Sequence, residues 1–291
     1  MRLQNERLQV EIAEPGNPYR GSRFDWTGAV TQVVLDGRHT FCTPAEPTPG
    51  AGDISVKNVN GLCNEFGIFA PIGYDDAQVG EMFPKLGVGL LTKPDAEPYS
   101  FMRQYPVQPF PVDVTCSESA VVFDVHPVDC RGYAVRLLKT LTLVGTELQI
   151  HYTLQNVGTR VIATHEYNHN FVAINGGLFT PDAYRLRLLF PMELATVPEP
   201  LVVDGQDIRW RATPETAFYC RPTGYTADTR EYWELLHEPS GAGMRVGGDF
   251  PLLLFALWGV AHTTCPETFI ALSLAPGEEC SWMRRYTFFC A

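Results

Sequence analysis

Apolar and polar residues alternate along much of this chain with a repeat of two. The clearest case is the segment Leu148–Leu154 (LQIHYTL), in which four apolar residues are separated by three polar ones. Because successive side chains of a strand point to opposite faces, this pattern predicts a strand with one buried face. The preceding segment Tyr133–Leu143 and the turn Val144–Thr146 predict its hairpin partner.

The same type of pattern extends over the rest of the chain. It predicts further strands at Val30–Leu35, Ala120–His126, Arg160–Phe171, Arg185–Phe190, Tyr232–His237, Leu252–Trp258, Phe269–Leu274 and Ser281–Phe289. No long segment has the apolar repeat of an amphipathic helix, and 25 glycines and 23 prolines punctuate the chain. We therefore predict an all-β protein, with a large antiparallel β-sandwich forming a single domain over residues 1–291. The loop-rich segment Thr43–Pro111 is expected to wall a binding cleft.

Composition and charge narrow the possible partners. Hydrophobic residues make up 45% of the chain, which is enough for a core, and the formal net charge of -11 argues against nucleic acid as a partner. The N-terminus has no continuous apolar segment of a signal peptide, and the longest apolar run, Pro251–Ala261, is too short to span a bilayer as a helix. We expect a soluble, cytoplasmic protein. The eight cysteines include no Cys-x-x-Cys pair, so most are expected to be buried thiols.

One short motif suggests zinc. Residues 165–169 read His-Glu-x-x-His, which on a helix places two imidazoles on one metal. The flanking residues have the alternation of a strand, and on a strand His165 and His169 stand about 13 Å apart, too far for a single ion. The strand interpretation places His165, Tyr167, His169 and Phe171 on one face, where they could bind and stack on a sugar. A zinc-dependent hydrolase using His165 and His169 remains the less favoured alternative.

Three segments of the second half carry further signals. They are Asn156–Thr159 followed by Tyr167–Phe171, then His237–Gly241 followed by Phe250–Pro251, and Cys265–Thr268 followed by Leu274–Glu278. In this order they resemble the aldose 1-epimerase (galactose mutarotase-like) family, with its Asn-His, Asp-Pro-x-Ser-Gly, Cys-x-Glu-Thr and Leu-x-Pro-Gly-Glu motifs. The resemblance implies a large mutarotase-like β-sandwich that interconverts the α and β anomers of a sugar.

The resemblance also assigns roles to residues. Glu267 corresponds to the catalytic base and His169 to the acid, and the two are expected on opposite sides of one sugar-sized hollow. His165 is the competing acid or a substrate-binding residue, and Trp258 is either a stacking platform or a core residue. No metal or other cofactor is expected, and the expected partner is a monosaccharide or sugar derivative.

The first half departs from the family. Family members carry an Asn-Arg segment and then a His-Gly-Gly loop, whereas this chain has no histidine between Thr43 and Val125. Glu65 and Lys85 occupy that region and are predicted to contact substrate, or else to form a surface salt bridge. The departure keeps open a non-catalytic carbohydrate-binding β-sandwich. An epimerase of phosphorylated sugars would need a basic cluster, for which Lys85, Lys93 and Arg103 are the candidates.

Overall fold

The alternating segments form strands whose apolar sides meet between two large sheets. The computed structural model describes residues 1–46 and 54–290, in which the strands are numbered β1 to β22 in chain order. Two short 3₁₀ turns occur at Ile54–Val56 and Ile174–Gly176. Among the described residues, no helix is long and apolar enough to cross a membrane.

The first large sheet carries the candidate site and is called the site sheet. It contains β1 (Arg2–Gln4), β2 (Leu8–Ile12), β3 (Val30–Leu35), β4 (His39–Thr40), β5 (Leu62–Phe66), β13 (Ile162–Asn170), β17 (Phe218–Cys220), β20 (Leu254–Val260) and β21 (Thr263–Leu274). The strand order is β1-β2-β3-β5-β13-β21-β20-β17, with β4 paired to β3. The central strands β13 and β21 contain the Tyr167–Phe171 and Cys265–Thr268 segments singled out in the sequence, except for Phe171, which follows β13.

The second large sheet, called the back sheet, packs against the site sheet. It contains β9 (Val112–Cys116), β10 (Ala120–Val125), β11 (Val135–Val144), β12 (Glu147–Asn156), β14 (Tyr184–Leu188), β15 (Leu201–Asp204), β16 (Asp207–Trp210), β18 (Arg230–His237), β19 (Ala242–Pro251) and β22 (Glu279–Cys290). Its order is β15-β16-β14-β18-β19-β22-β12-β11-β10-β9. A small third sheet pairs β6 (Met82–Lys85), β7 (Gly89–Thr92) and β8 (Val107–Pro109).

The core fills the space between the two large sheets. On β12 the four apolar residues of the segment 148–154 are all buried, as the alternation predicts. Trp282 of the back sheet stacks on Tyr152 at 4.9 Å between ring centroids and meets Phe66 of the site sheet edge-on at 6.4 Å. Each such fully buried aromatic side chain contributes about 1.5–3 kcal/mol to folding.

These observations confirm the predicted all-β fold and its antiparallel pairing. The predicted strands are present, although β21 begins at Thr263 rather than at Phe269. The earlier start was missed because residues 263–270 are buried on both faces, so alternation is absent there. All eight cysteines are free thiols, and five of them are buried, as expected: Cys42, Cys63, Cys130, Cys220 and Cys265.

Candidate active site

The candidate site lies where β13 and β21 separate locally. Their pairing ends at Tyr167 opposite Phe269 and resumes at the bridge between Val172 and Thr264, in the same register. Pro266 lies in this interval and has no N–H to donate to the neighbouring strand. A short split therefore opens in the middle of the site sheet.

Asparagine side chains bridge this split on the side that faces the back sheet. The Asn168 Oδ1 accepts hydrogen bonds from the Thr268 backbone N–H at 3.0 Å and from its hydroxyl at 2.7 Å. The Asn170 amide donates to the Pro266 carbonyl at 3.0 Å. Both asparagines also contact the Tyr286 hydroxyl of the back sheet at 3.2 Å. The split is thus held at a fixed width.

His169 and Glu267 face each other across the split on its outer side. Their Nε2 and Oε1 atoms are 3.3 Å apart, and each residue is only 5% exposed. The imidazole stacks on Phe171 at 4.3 Å between centroids and meets the edge of Phe24 at 5.5 Å. The two residues lie side by side at the bottom of a hollow, and this bottom surface is called the floor. The sequence had suggested that they lie on opposite sides of the hollow.

Burial changes the protonation of this pair. Burial raises the pKa of Glu267 to about 8, against the opposing effect of the Arg23 charge. Burial also holds the pKa of His169 well below its ordinary value, and the Arg23 charge acts in the same direction. The neutral forms are therefore favoured near pH 7, so that the pair carries one exchangeable proton, which rests on Glu267.

Arg23 contributes a buried positive charge to the floor. Its Nε donates to the Glu65 carboxylate at 3.0 Å and its Nη2 to the Tyr167 hydroxyl at 3.1 Å. The guanidinium lies 4.5 Å from the ring centroid of Phe24 and 4.4 Å from that of Phe101. Arg23 lines the hollow above the pair and can donate to a bound hydroxyl.

Glu65 and Lys85 support Arg23 from behind. Both side chains are fully buried, and the Lys85 ammonium donates to Glu65 at 2.7 Å. Although burial pushes the pKa of Glu65 up, the charges of Lys85 and Arg23 outweigh it, and that pKa lies below its ordinary value. The prediction of substrate contact is therefore wrong for these two residues because neither has exposed surface. The alternative of a surface salt bridge is also wrong, since the ion pair is internal.

Above the floor opens a hollow of about 910 Å³. Its lining is mostly apolar and aromatic, with a few charged groups. The segment 43–111 supplies part of the wall, as predicted, through Ala45, Glu46, Val56, Ile68, Phe69, Phe101 and Met102. The remaining lining residues are Arg23, His169, Phe171, Leu178, Pro214, Glu215, Tyr219, Arg221, Trp258, Val260, Ala261, His262, Glu267 and Phe269. A concave, mostly apolar surface with a few polar groups is typical of small-molecule sites.

His165 does not share the position of His169. It shares the outer face of β13 but packs against Phe69 at 4.8 Å and Phe269 at 5.9 Å between centroids. Among the described residues that line the hollow, His165 is absent. Burial lowers the pKa of His165 to about 4, so its imidazole is neutral near pH 7. His169 lines the hollow and has a carboxylate neighbour, Glu267, whereas His165 lies outside it.

The His-Glu-x-x-His segment forms a strand, and this removes the geometric basis of a zinc site. Residues 162–170 pair with β5 and β21 in regular register. Glu166 points to the interior, where it pairs with the buried Arg284 of the back sheet. Within residues 1–46 and 54–290, no group of three or more potential ligands is arranged to hold a metal ion.

The other basic candidates also lie elsewhere. Arg103 pairs with Asp95, and Lys93 donates to the Tyr74 carbonyl at 3.2 Å and lies over that ring. Neither residue is among the described residues that line the hollow. The expected basic cluster for a phosphate does not form from these side chains. Trp258, in contrast, is partly exposed and lines the hollow.

The sequence reasoning missed Arg23 and the pair Tyr219 and Arg221. Arg23 comes from a segment without alternation, and Tyr219 and Arg221 lie in or next to a strand of only three residues, so periodicity carries no usable signal for them. One indirect signal for Arg23 did exist. Glu65 follows Asn64 where family members have Asn-Arg, and a buried carboxylate in that place requires a cation from another part of the chain.

Comparisons with known proteins agree with this architecture. No family model matches the chain, and no curated protein matches its sequence. Solved structures do match over nearly the full length of both chains. A galactose mutarotase-like protein from Lactobacillus casei has a TM-score of 0.63 and 16% identity, covering 99% of each chain. A galactose mutarotase-like protein from Clostridium acetobutylicum has a TM-score of 0.62 and 10% identity, covering 100% of this chain and 95% of its own.

A third match is the GalM/aldose epimerase homologue from C. elegans, with a TM-score of 0.57 and 11% identity, covering 100% of this chain and 98% of its own. At such low identities the similarity establishes the fold and leaves the reaction open. The chain therefore has the galactose mutarotase-like β-sandwich fold.

Proposed function

We propose that this protein is an aldose 1-epimerase (mutarotase)-like enzyme, which interconverts the α and β anomers of a sugar by acid/base ring opening. The observation that carries the proposal is the buried Glu267 and His169 pair, 3.3 Å apart on the floor of an aromatic-lined hollow. Neighbouring acidic and basic side chains whose pKa values are strongly shifted by burial are typical of sites that transfer protons.

The reaction needs two proton transfers on neighbouring oxygens. One group removes the proton of the anomeric hydroxyl, and another protonates the ring oxygen as its bond to C1 breaks. Both oxygens are bonded to C1, so two groups that lie side by side can reach both. Rotation about C1–C2 presents the other carbonyl face, and the reverse transfers close the ring.

We assign Glu267 as the base and His169 as the acid. The exchangeable proton rests on Glu267, so it first passes to His169, which leaves the net charge of the pair unchanged. His169 then gives this proton to the ring oxygen while Glu267 takes the proton of the anomeric hydroxyl. Arg23 donates to a sugar hydroxyl from the same floor, and Glu65 with Lys85 holds Arg23 in place. The chemistry needs no metal or redox cofactor.

Polarimetry tests the proposal. The rotation of freshly dissolved α-glucose and α-galactose is followed with and without the protein, and the rate in buffer alone is subtracted. We expect Glu267→Gln and His169→Gln each to lower kcat by about 10²–10⁴-fold, which is the usual contribution of a positioned acid or base. Glu118→Gln, which changes an exposed carboxylate in the β9–β10 turn, is the matched control and keeps full activity.

The rival function is a non-catalytic sugar-binding protein of the same fold. Equilibration no faster than in buffer across a panel of aldoses, together with saturable quenching of tryptophan fluorescence by the same sugars, would favour the rival. Trp258 lines the hollow and reports binding in that experiment.

A further inference from the structure

The hollow is much larger than one monosaccharide requires. Its volume of about 910 Å³ lies near the upper end of the range for sites of drug-sized ligands. Glu267 and His169 are only two of the many residues that line it. The surface beyond the floor therefore needs its own explanation.

Large apolar side chains form this outer surface, although they are substantially exposed. Phe69 is 55% exposed and Tyr219 is 48% exposed, and Met102 and Leu178 are about half exposed as well. All four line the hollow. Exposed apolar side chains collected around one opening, rather than scattered singly, indicate a binding surface.

Arg221 joins the two aromatic residues of this surface. Its Nε donates to the Tyr219 hydroxyl at 2.7 Å, and its guanidinium lies 5.5 Å from the Tyr219 ring and 5.7 Å from the Phe69 ring. Phe69 is supported from below because it stacks on Phe269 at 6.1 Å with an interplanar angle of 8°. We call Phe69, Tyr219 and Arg221 together the outer wall. Its two aromatic rings are held in place by neighbouring side chains, and the guanidinium and phenol groups provide hydrogen-bond donors beside them.

We propose that the outer wall is a second sugar subsite and that the substrate is a reducing disaccharide or longer oligosaccharide. The inference rests on the proposed function, because the reducing unit occupies the floor while the next pyranose stacks on the outer wall. A pyranose has an apolar face bordered by hydroxyls, and this matches aromatic faces bordered by guanidinium and phenol donors.

The test compares two sugars that present the same reducing unit. The mutarotation of freshly dissolved α-lactose and α-glucose is followed by polarimetry, and kcat/KM is obtained for each. We expect lactose to be favoured by about tenfold, which corresponds to the stabilisation of about 1.4 kcal/mol that one well-stacked ring provides.

Variants of the outer wall separate stacking from hydrogen bonding. Phe69→Ala and Tyr219→Ala should each raise KM for lactose several-fold, and by more than either variant raises KM for glucose. Tyr219→Phe keeps the ring and removes only the hydroxyl, so it should retain most of the lactose advantage. Leu189→Ala truncates a similarly exposed apolar residue outside the hollow and is the matched control.

The outcomes distinguish this inference from the proposed function. Equal kcat/KM for the two sugars, or an equal loss for both in Phe69→Ala, would overturn the second subsite while leaving the mutarotase activity intact. If neither sugar is equilibrated but lactose quenches tryptophan fluorescence more strongly than glucose, the subsite stands and the proposed function fails.

Recognition of charge would also overturn the inference. Arg221 is the group on this wall that an anionic substituent would select. Glucose 6-phosphate is therefore included as a third sugar. Faster equilibration of glucose 6-phosphate than of lactose, lost in Arg221→Gln and kept in Phe69→Ala, would mean that the wall binds an anion instead of a second pyranose.

Discussion

At the scale of single residues, burial gives Glu267 a protonation state that neutral pH alone would not produce, and it keeps His169 neutral. A free glutamate is ionised at pH 7 and a free histidine is mostly neutral. Here the pKa of Glu267 is raised to about 8 and that of His169 is lowered, so the pair keeps a proton over a wide pH range. This proton is the one that the proposed reaction moves.

The pH dependence of activity follows from these shifts. Above about pH 8 Glu267 loses its proton while His169 is already neutral, and the pair then has no proton to give to the ring oxygen. We expect kcat/KM, corrected for the rate in buffer, to fall with an apparent pKa near 8 and to stay level well below pH 6.5. Rates measured from pH 5 to pH 10 check this. If kcat/KM stays level up to pH 9.5, the assignment of the transferred proton to Glu267 is wrong.

Stability should respond to the same residue. The folded state raises the pKa of Glu267 from its ordinary 4.5 to about 8, so the folded protein binds this proton more tightly than the unfolded chain. Stability is therefore lost as pH rises through that window, by about 1.4 kcal/mol for each unit of pKa difference at most. We expect Glu267→Gln to gain stability over the wild type by a few kcal/mol at pH 9 and by little at pH 4.

Urea denaturation of both proteins at the two pH values measures this gain. An identical difference in the free energy of unfolding at pH 4 and pH 9 would show that Glu267 ionises freely in the folded state. Glu118→Gln should show no such dependence, because its carboxylate is exposed in both states.

Residue-level predictions from the sequence were successful where periodicity decided them. The period of two places His165, Tyr167, His169 and Phe171 on one face, and the structure has this face. Periodicity could not distinguish His165 from His169, because the difference is made by Phe69, which comes from a loop about a hundred residues earlier. A contact between distant segments leaves no trace in either segment alone.

At the scale of elements, the local split between β13 and β21 creates the candidate site within the site sheet. In a regular ladder the facing residues would be drawn together by backbone hydrogen bonds. Here Pro266 removes a donor, and the asparagine side chains of β13 supply bonds in place of the ladder. The Cys-Pro-Glu-Thr motif of β21 and the Asn-His-Asn motif of β13 thus form the two sides of the split.

Removal of one bridge tests this interpretation. Asn168→Ala leaves the buried Thr268 backbone N–H without its acceptor, although the Thr268 hydroxyl keeps Glu231 as a partner, and this should cost about 1–3 kcal/mol of stability. We expect a loss of at least tenfold in kcat as the distance between His169 and Glu267 is no longer fixed. Chemical denaturation and polarimetry measure the two effects.

Tyr286→Phe is the control for this variant. It removes the hydroxyl that both asparagines contact from the back sheet and leaves the bond between Asn168 and Thr268 in place. A smaller loss of kcat is expected. If Tyr286→Phe lowers kcat as much as Asn168→Ala does, anchoring to the back sheet, and not the bridge across the split, controls the geometry.

Most longer elements with one buried face were predicted, but β2 (Leu8–Ile12) was missed although its residues alternate. Strand β3 was placed at Val30–Leu35, and the structure has the same bounds. The short strands β6, β7, β8, β15 and β16 were not predicted, because three or four residues are too few to display a repeat. The split itself was hidden, since Pro266 within an apolar run indicates the end of a strand rather than a local opening.

At the scale of the whole molecule, a buried ionic cluster connects the two large sheets behind the site. Arg284 of the back sheet pairs with Glu166 of the site sheet and with Glu231 of β18, and it donates to the Thr268 carbonyl at 3.0 Å. Burial raises the pKa of both glutamates, although the Arg284 charge opposes the shift. One cation thus serves two carboxylates directly beneath the floor.

Loss of this cation should be costly. We expect Arg284→Met to lower the free energy of unfolding by about 3–5 kcal/mol at pH 7, because two buried carboxylates lose their partner. The combination of Arg284→Met with Glu166→Gln and Glu231→Gln should recover part of that loss. Denaturation by urea measures both. Arg285→Met, on the opposite face of β22, is the matched control and should change little.

A loss below 1 kcal/mol in Arg284→Met would mean that packing alone holds the sheets together. Alternation places Arg284 on the same buried face of β22 as Trp282 and Tyr286, but it does not show which carboxylates of other strands meet it there, and arginine and glutamate normally lie at the surface. The overall architecture, in contrast, was predictable from alternation, turn residues and the resemblance together. The extent of a single domain over residues 1–291 stays a prediction.

The hollow has two parts with different origins. Its floor lies on central strands of the site sheet, whereas part of its rim comes from the β5–β6 loop, which carries Phe69, and the β7–β8 loop, which carries Phe101 and Met102. Loops accept substitution and insertion more readily than central strands. Exchange of these loops should therefore change which ligand this protein accepts, while His169 and Glu267, which lie on the central strands β13 and β21, keep their positions.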